Sequence, residues 1–241
     1  SVISYADRLV ILDTDLDVIR KCQKITAAFL AKLGLKISET QSRVTHTFKK
    51  YEGSVGLDFL GFHIRQYPCG NQPSSRMDGT AKHRDAVTII KPSQAAIKQH
   101  LKTIDDVIAK HKNASQASLI NALNPIIREW TDYYAATTSS RRPFKKLGSI
   151  LFYKLRGWAI FRRANHQNKT EIASKYWGVN RGLGWKFITP DNRSVLATHQ
   201  ATWSKRRIKV LDKSSPFDGD DRFWHHRLAT HPKVNAPHEL D

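Results

Sequence analysis

The spacing of apolar residues changes several times along this chain, and each change predicts an element. Val2-Ile3 and Leu9-Val10-Ile11-Leu12 form two short β-branched runs separated by Ser4 to Arg8, which predicts a hairpin turning at Ala6-Asp7. Leu16, Ile19, Cys22, Ile25, Phe29 and Leu33 then recur at three- and four-residue intervals, the period of one helix face. Asp13-Thr14-Asp15 supply N-cap candidates and Gly34 the stop. Cys22 lies on that face and is assigned to the core. Two strands are expected next, near 43–48 and 57–66. They complete a small α+β sheet that exposes an edge. Residues 68–84, with Pro68, Gly70, Pro73, Ser74, Ser75 and Gly79, form a linker.

Beyond the linker the period becomes helical. A first helix starts at Pro92-Ser93 with Ile97, Leu101, Ile104 and Ile108 inward. A second, near 115–138, keeps Leu119, Leu123, Ile126 or Ile127, Trp130 and Tyr134 on one face, and Pro125 should bend or tighten it. A third runs from Pro143 to about Arg163 with Leu147, Leu151, Leu155 and Trp158 inward. Three such faces can bury one another as a bundle. Trp130, Tyr133, Tyr134 and Trp158 are assigned to that core in preference to base stacking. Residues 178–213 are β-rich, and Trp177, Trp185 and Trp203 there can stack on unpaired bases or form a small core, with core favoured for most of them.

Charge turns this architecture toward a polyanion. The 241 residues hold 40 Lys and Arg against 21 Asp and Glu, a net charge of +19. Residues 1–66 carry 10 basic and 7 acidic groups, whereas residues 67–241 carry 30 and 14, so the excess lies beyond the first sheet. Such a field attracts nucleic acid and makes affinity steeply salt-dependent. The third helix concentrates the bias. No acid occurs between Asp132 and Glu171, while Arg141, Arg142, Lys145, Lys146, Lys154, Arg156, Arg162, Arg163 and Lys169 do. A solvated helix usually mixes signs to gain pairs one turn apart.

Other chemistries find little support. Cys22 and Cys69 give neither metal-ligand spacing nor a disulfide framework. The 11 histidines lack the spacing of a zinc site and are read as solvent-exposed or phosphate-contacting. Asp218, Gly219, Asp220 and Asp221 are read as a solvated turn rather than a cation site. No run approaches the roughly 20 apolar residues of a membrane span, and no signal peptide opens the chain. An intracellular protein, cytoplasmic or organellar, is expected.

Ser4-Tyr5-Ala6-Asp7-Arg8 resembles the metal-binding hairpin of a reverse transcriptase in which arginine replaces the second carboxylate. Leu33-Gly34-Leu35-Lys36, Gln41 to Thr47 and Phe59 to Tyr67 resemble the last palm motifs and the start of the thumb. Ile90-Lys91-Pro92-Ser93, Leu123 to Trp130 with Tyr133-Tyr134, and Lys175-Tyr176-Trp177 resemble the thumb-derived maturase domain. Ser215 to Asp220 is similar to the segment that closes the C-terminal region. Taken in order, these motifs resemble the C-terminal portion of a group II intron reverse transcriptase, or maturase.

The resemblance implies a partial palm at 1–67, a linker at 68–84, a thumb/maturase helical domain at 85–177 and a basic C-terminal region at 178–241. The fingers, most of the palm and the zinc-bearing endonuclease domain are expected to be missing. The fold is thus an α+β palm remnant followed by a three-helix bundle. Two-metal nucleotidyl transfer needs clustered carboxylates, and Arg8 would repel the ions. Asp7 is therefore vestigial, no catalytic or metal residue is assigned, and Mg2+ would enter only through bound RNA or a complementing palm. The expected RNA-binding residues are Lys98, Lys102, Arg128, Arg141, Arg142, Lys145, Lys146, Lys154, Arg156, Arg162, Arg163, Lys169, Lys175, Lys205, Arg206 and Arg207.

The reading is an RNA-binding maturase that assists group II intron folding and splicing. Structured RNA is its partner, with a DNA target or a complementing reverse-transcriptase chain as further candidates and no membrane. The alternatives are the C-terminal subunit of a split reverse transcriptase, and a degenerate remnant that binds RNA generally.

Overall fold

The computed structural model describes residues 1–68, 86–135, 137, 141–162, 168–180, 184–199 and 222. Cys69, most of the 68–84 linker, Trp203 and the Asp218 to Asp221 turn lie outside the described residues. The chain divides into two compact units, Ser1–Thr45 and His46–Asp241.

In the first unit, strands β1 (Val2–Tyr5) and β2 (Arg8–Ile11) form the expected hairpin, pairing Val2 with Ile11 and Tyr5 with Arg8. Ala6 takes the turn at a positive φ of 49°. Helix α1 (Leu16–Lys32) begins at Asp15, whose carboxylate accepts the Asp17 N–H at 2.8 Å. It ends where Gly34, at φ 73°, donates to the Ala31 carbonyl and Leu35 donates to that of Leu30. This Schellman arrangement satisfies the terminal carbonyls, and glycine reaches the left-handed conformation without a Cβ penalty. The apolar face of α1 is nonetheless uncovered: it buries no residue, and Phe29 stays 61% exposed. Cys22 is only half-buried, which corrects its assignment to a core.

The second unit opens with a sheet that departs from expectation. No strand forms at 43–48. Instead the His46 Nδ1 accepts the N–H groups of Phe48 and Lys49, winding the chain into a turn, as short-range side-chain acceptors do when they compete with a ladder. The single strand expected at 57–66 is a hairpin, β3 (Leu57–Phe59) and β4 (Phe62–Pro68), because Leu60 and Gly61 both take positive φ in a two-residue turn. A further strand, β5 (Ala86–Pro92), pairs along β4 from Phe62–Pro92 to Pro68–Ala86. The order is β3-β4-β5, all antiparallel.

Among the described residues four helices follow: α2 (Gln94–Lys110), α3 (Gln116–Tyr134), α4 (Arg141–Phe161) and α5 (Lys169–Tyr176). Ser93 and Ser115 cap α2 and α3 by accepting the N–H groups of Ala96 and Ser118. Pro125 sits inside α3, which continues to Tyr134, short of the predicted 138. The core draws on Ile104, Leu119, Ile120, Leu123, Ile127, Leu151, Leu155 and Trp158, as three interlocking stripes should. Ile127, not Ile126, is the inward residue of its pair.

Two additions close this core. Helix α5 contributes Ile172 and Tyr176, and the hairpin β6 (Trp177–Asn180) and β7 (Gly184–Phe187) contributes Trp177 and Phe187. Side chains of α3 hold these pieces by polar contacts. The buried Gln116 amide donates to the carbonyls of Tyr176 and Ile188, at 2.9 and 3.0 Å. Asn124 donates to the Val195 carbonyl and accepts the Ala197 N–H. At the other end of α3, the hydroxyls of Tyr133 and Tyr134 donate to the carbonyls of Leu60 and Gly61, clipping the sheet's tight turn to the helix.

Candidate nucleic-acid interface

Helix α4 separates its two faces by sequence spacing alone. Phe144, Leu147, Leu151, Leu155, Trp158 and Ala159 are buried, each three or four residues from the next apart from the last pair. The positions between them place Arg142, Lys145, Lys146, Ser149 and Tyr153 in solvent, with Arg156 half-buried. The core side therefore fixes the direction in which the cations project. With 21 residues the helix extends about 32 Å, long enough to follow several phosphates. No acidic residue is available on it to neutralise the stripe.

Not every cation of α4 is free to meet a ligand, nor is Arg162 just beyond its end. Lys154 donates to both carboxylate oxygens of Asp105 on α2, at 2.6 and 2.7 Å. Arg162 donates to the carbonyls of Lys112 and Ala114 and lies over the Trp158 ring, 4.7 Å from its centroid. Trp158 itself donates to the His111 carbonyl at 2.9 Å. These groups tie α4 to α2 and to the turn after it, a structural use of charge that their sequence positions do not disclose.

The remaining expected contacts are dispersed. Lys98 and Lys102 are exposed on α2 at four-residue spacing, so they share one ridge, and Arg128 is exposed on α3. Lys175 is exposed on α5 with its ammonium 5.6 Å from the Tyr176 ring centroid. Arg141 opens α4 and Lys169 opens α5. Arg163, Lys205, Arg206 and Arg207 lie outside the described residues. In the first unit Asp7 and Arg8 are both exposed at the β1–β2 turn. Among the described residues no group of three or more His, Cys, Asp or Glu is placed to hold a metal ion, and no helix is long and apolar enough to cross a membrane.

The histidines correct one expectation. His100 and His199 are buried, with their Nε2 atoms 2.9 Å apart, so one ring donates the proton and the other accepts it. Burial lowers the pKa of each to about 4, helped at His199 by the neighbouring His100. Trp130 stacks on His100 at 4.6 Å. The pair is a neutral link between α2 and the segment after β7, not a phosphate contact.

The aromatic assignments divide. Trp158, Tyr134 and Trp177 are core, but Tyr133 is half exposed and stacks on Phe62 at 5.1 Å. Trp185 is exposed on β7 and takes no part in the core. Sequence reasoning also passed over Phe152 and Tyr153. Both fall off the Leu147-Leu151-Leu155 stripe, and that offset is the signal that could have found them.

Against known families, residues 97–177 match the model of the Group II intron, maturase-specific domain. The matched stretch runs from the first turn of α2 to the start of β6, so it contains the helical bundle and the whole cationic face of α4. The match likens this bundle to the maturase-specific domain of group II introns. No curated protein matches the chain.

Proposed function

We propose that this chain, whose residues 97–177 match the model of the group II intron maturase-specific domain, binds intron RNA through the outer face of α4 and favours the RNA's splicing-competent fold. The observation that carries this reading is the acid-free run of cations on a helix whose opposite face is locked into the core. A compact RNA concentrates phosphates, so a rigid cationic surface binds it more tightly than an extended form. That differential affinity shifts the population toward the compact form. Phosphate contacts supply affinity and orientation, and the splicing chemistry, with its magnesium, belongs to the RNA. Nucleotide polymerisation is not part of this reading, since Arg8 occupies the place where the two-metal chemistry wants a second carboxylate.

The test is competition binding at physiological salt between a group II intron RNA and an unrelated structured RNA of equal length. A preference of roughly a hundredfold, about 2.7 kcal/mol, is expected, together with faster splicing at low magnesium. Equal affinity for the two RNAs, with no change in splicing, rejects the maturase reading in favour of a general RNA binder.

A second reading is favoured by the uncovered apolar face of α1 and the two-stranded β1–β2 sheet, both of which a complementing reverse-transcriptase chain could cover. It requires that Arg8→Asp, with a fingers-and-palm chain supplied in trans, restore primer extension. No extension with that pair rejects it.

A further inference from the structure

Tyr153 occupies the middle of the cationic face of α4 and is 66% exposed. Lys146, Ser149, Tyr153 and Arg156 succeed one another at intervals of three, four and three residues, so the four lie along one line of the helix surface. Its ring meets the exposed Phe152 at 5.6 Å, and Phe152 meets Trp177 of β6 at 5.5 Å, both edge-on. Trp177 is buried at the root of the β6–β7 hairpin. Two residues further along the same face, the paired Val179 and Trp185 emerge into solvent at 79% and 57% exposure. Single exposed apolar residues are ordinary. A series running from the helix onto the hairpin, bordered by cations, is not.

Two kinds of partner bury aromatic surface, and the charge chooses between them. A protein partner would need a correspondingly acidic surface to offset Lys145, Lys146 and Arg156. A nucleic-acid strand brings the anions with it, one per nucleotide. Paired bases, however, are already stacked inside their helix and cannot use an aromatic ring. Unpaired bases can, and each has a π face that any aromatic side chain will accept.

We propose that Tyr153, Phe152 and Trp185 form a stacking ledge for unpaired nucleotides of the bound RNA, with Lys146 and Arg156 taking the adjoining phosphates. This rests on the RNA-binding reading and deepens it. The α4 face then distinguishes a bulge, loop or junction strand from continuous duplex, which phosphate contacts alone do not do.

The test measures affinity of the full chain for two RNAs of equal length at one salt concentration, one fully paired and one carrying an unpaired internal segment. Tyr153→Ala should weaken binding to the interrupted RNA about tenfold or more and binding to the duplex less than twofold. Trp185→Ala should act in the same direction, whereas Tyr153→Phe, which keeps the ring, should bind both RNAs like the parent chain. Tyr153 and Trp185 are solvent-facing, so melting temperatures of all three variants should match the parent. If Tyr153→Ala weakens both RNAs equally, or neither, while the parent chain binds RNA, the ledge is wrong and the cationic face stands. If the parent chain binds neither RNA, the RNA-binding reading falls and the ledge with it.

Discussion

Helices α1 and α2 are both 17 residues long, both begin at a capping side chain, and both carry an apolar stripe at helical period. They end in opposite circumstances. Helix α2 buries His100 and Ile104 and contributes to a closed core, whereas α1 buries nothing. The comparison separates two things that an amphipathic pattern tends to merge. Periodicity states that a helix needs a covered face. What covers it is a property of the other elements, and only the second unit supplies them.

The sharpest way to break this contrast is to remove equivalent apolar groups from the two regions. Leu123→Ala empties a fully buried position and should cost about 2–5 kcal/mol in denaturant unfolding. Phe29→Ala removes a larger side chain from an exposed position and should stay within about 0.5 kcal/mol. Comparable losses at the two sites would mean that α1 has a covering surface after all.

Next in size is a pH dependence that belongs to one region alone. Residues 1–45 contain no histidine. In the second unit, burial holds His100 and His199 at about 4, below the ordinary value near 6.5. Between those limits the unfolded chain binds more protons than the folded one. Stability from the pair is therefore fully present above about pH 6.5 and declines as pH falls toward 4, by at most about 1.4 kcal/mol per pH unit for each ring. Melting temperature against pH should show the decline, and His199→Gln should make it shallower. A flat profile from pH 7 to 5 rejects the buried neutral pair.

The smallest effect concerns the caps. Ser115→Ala removes the acceptor for the Ser118 N–H and should lower global stability by about 0.5–2 kcal/mol. Asp15→Ala removes the equivalent group from α1. Its effect should be confined to faster amide hydrogen exchange in the first turn of that helix, with global unfolding unchanged.

What could be read in advance follows the range of the interaction concerned. The hairpin at Ala6-Asp7, the Gly34 stop and the caps of α1 and α2 depend on neighbours a few residues away, and local chemistry specifies them. The inward stripes of α2, α3 and α4 were legible because core formation respects the helical period. Strand β5 depends on a partner in β4, and nothing local marks that pairing. The His46 turn defeated a β-branched strand pattern by offering two backbone donors a nearer acceptor. At the candidate interface, the direction of the cationic face was implicit in the spacing. The engagement of Lys154 by Asp105, 49 residues distant, was not.

Gln116 carries one more consequence. Its amide has two hydrogens, and both go to carbonyls at the two ends of the β6–β7 segment, Tyr176 and Ile188. In a hairpin, moving the chain by a single residue turns every side chain to the other side. A slip of that kind would present Gln116 with an N–H, or with nothing, in place of a carbonyl, and would leave a buried amide without partners. One side chain on α3 thus acts as a gauge for the alignment of a segment 60 residues later in the chain. The same alignment puts Trp177, Val179, Trp185 and Phe187 on one face of the hairpin, with the pair at its root in the core and the pair nearer its tip in solvent.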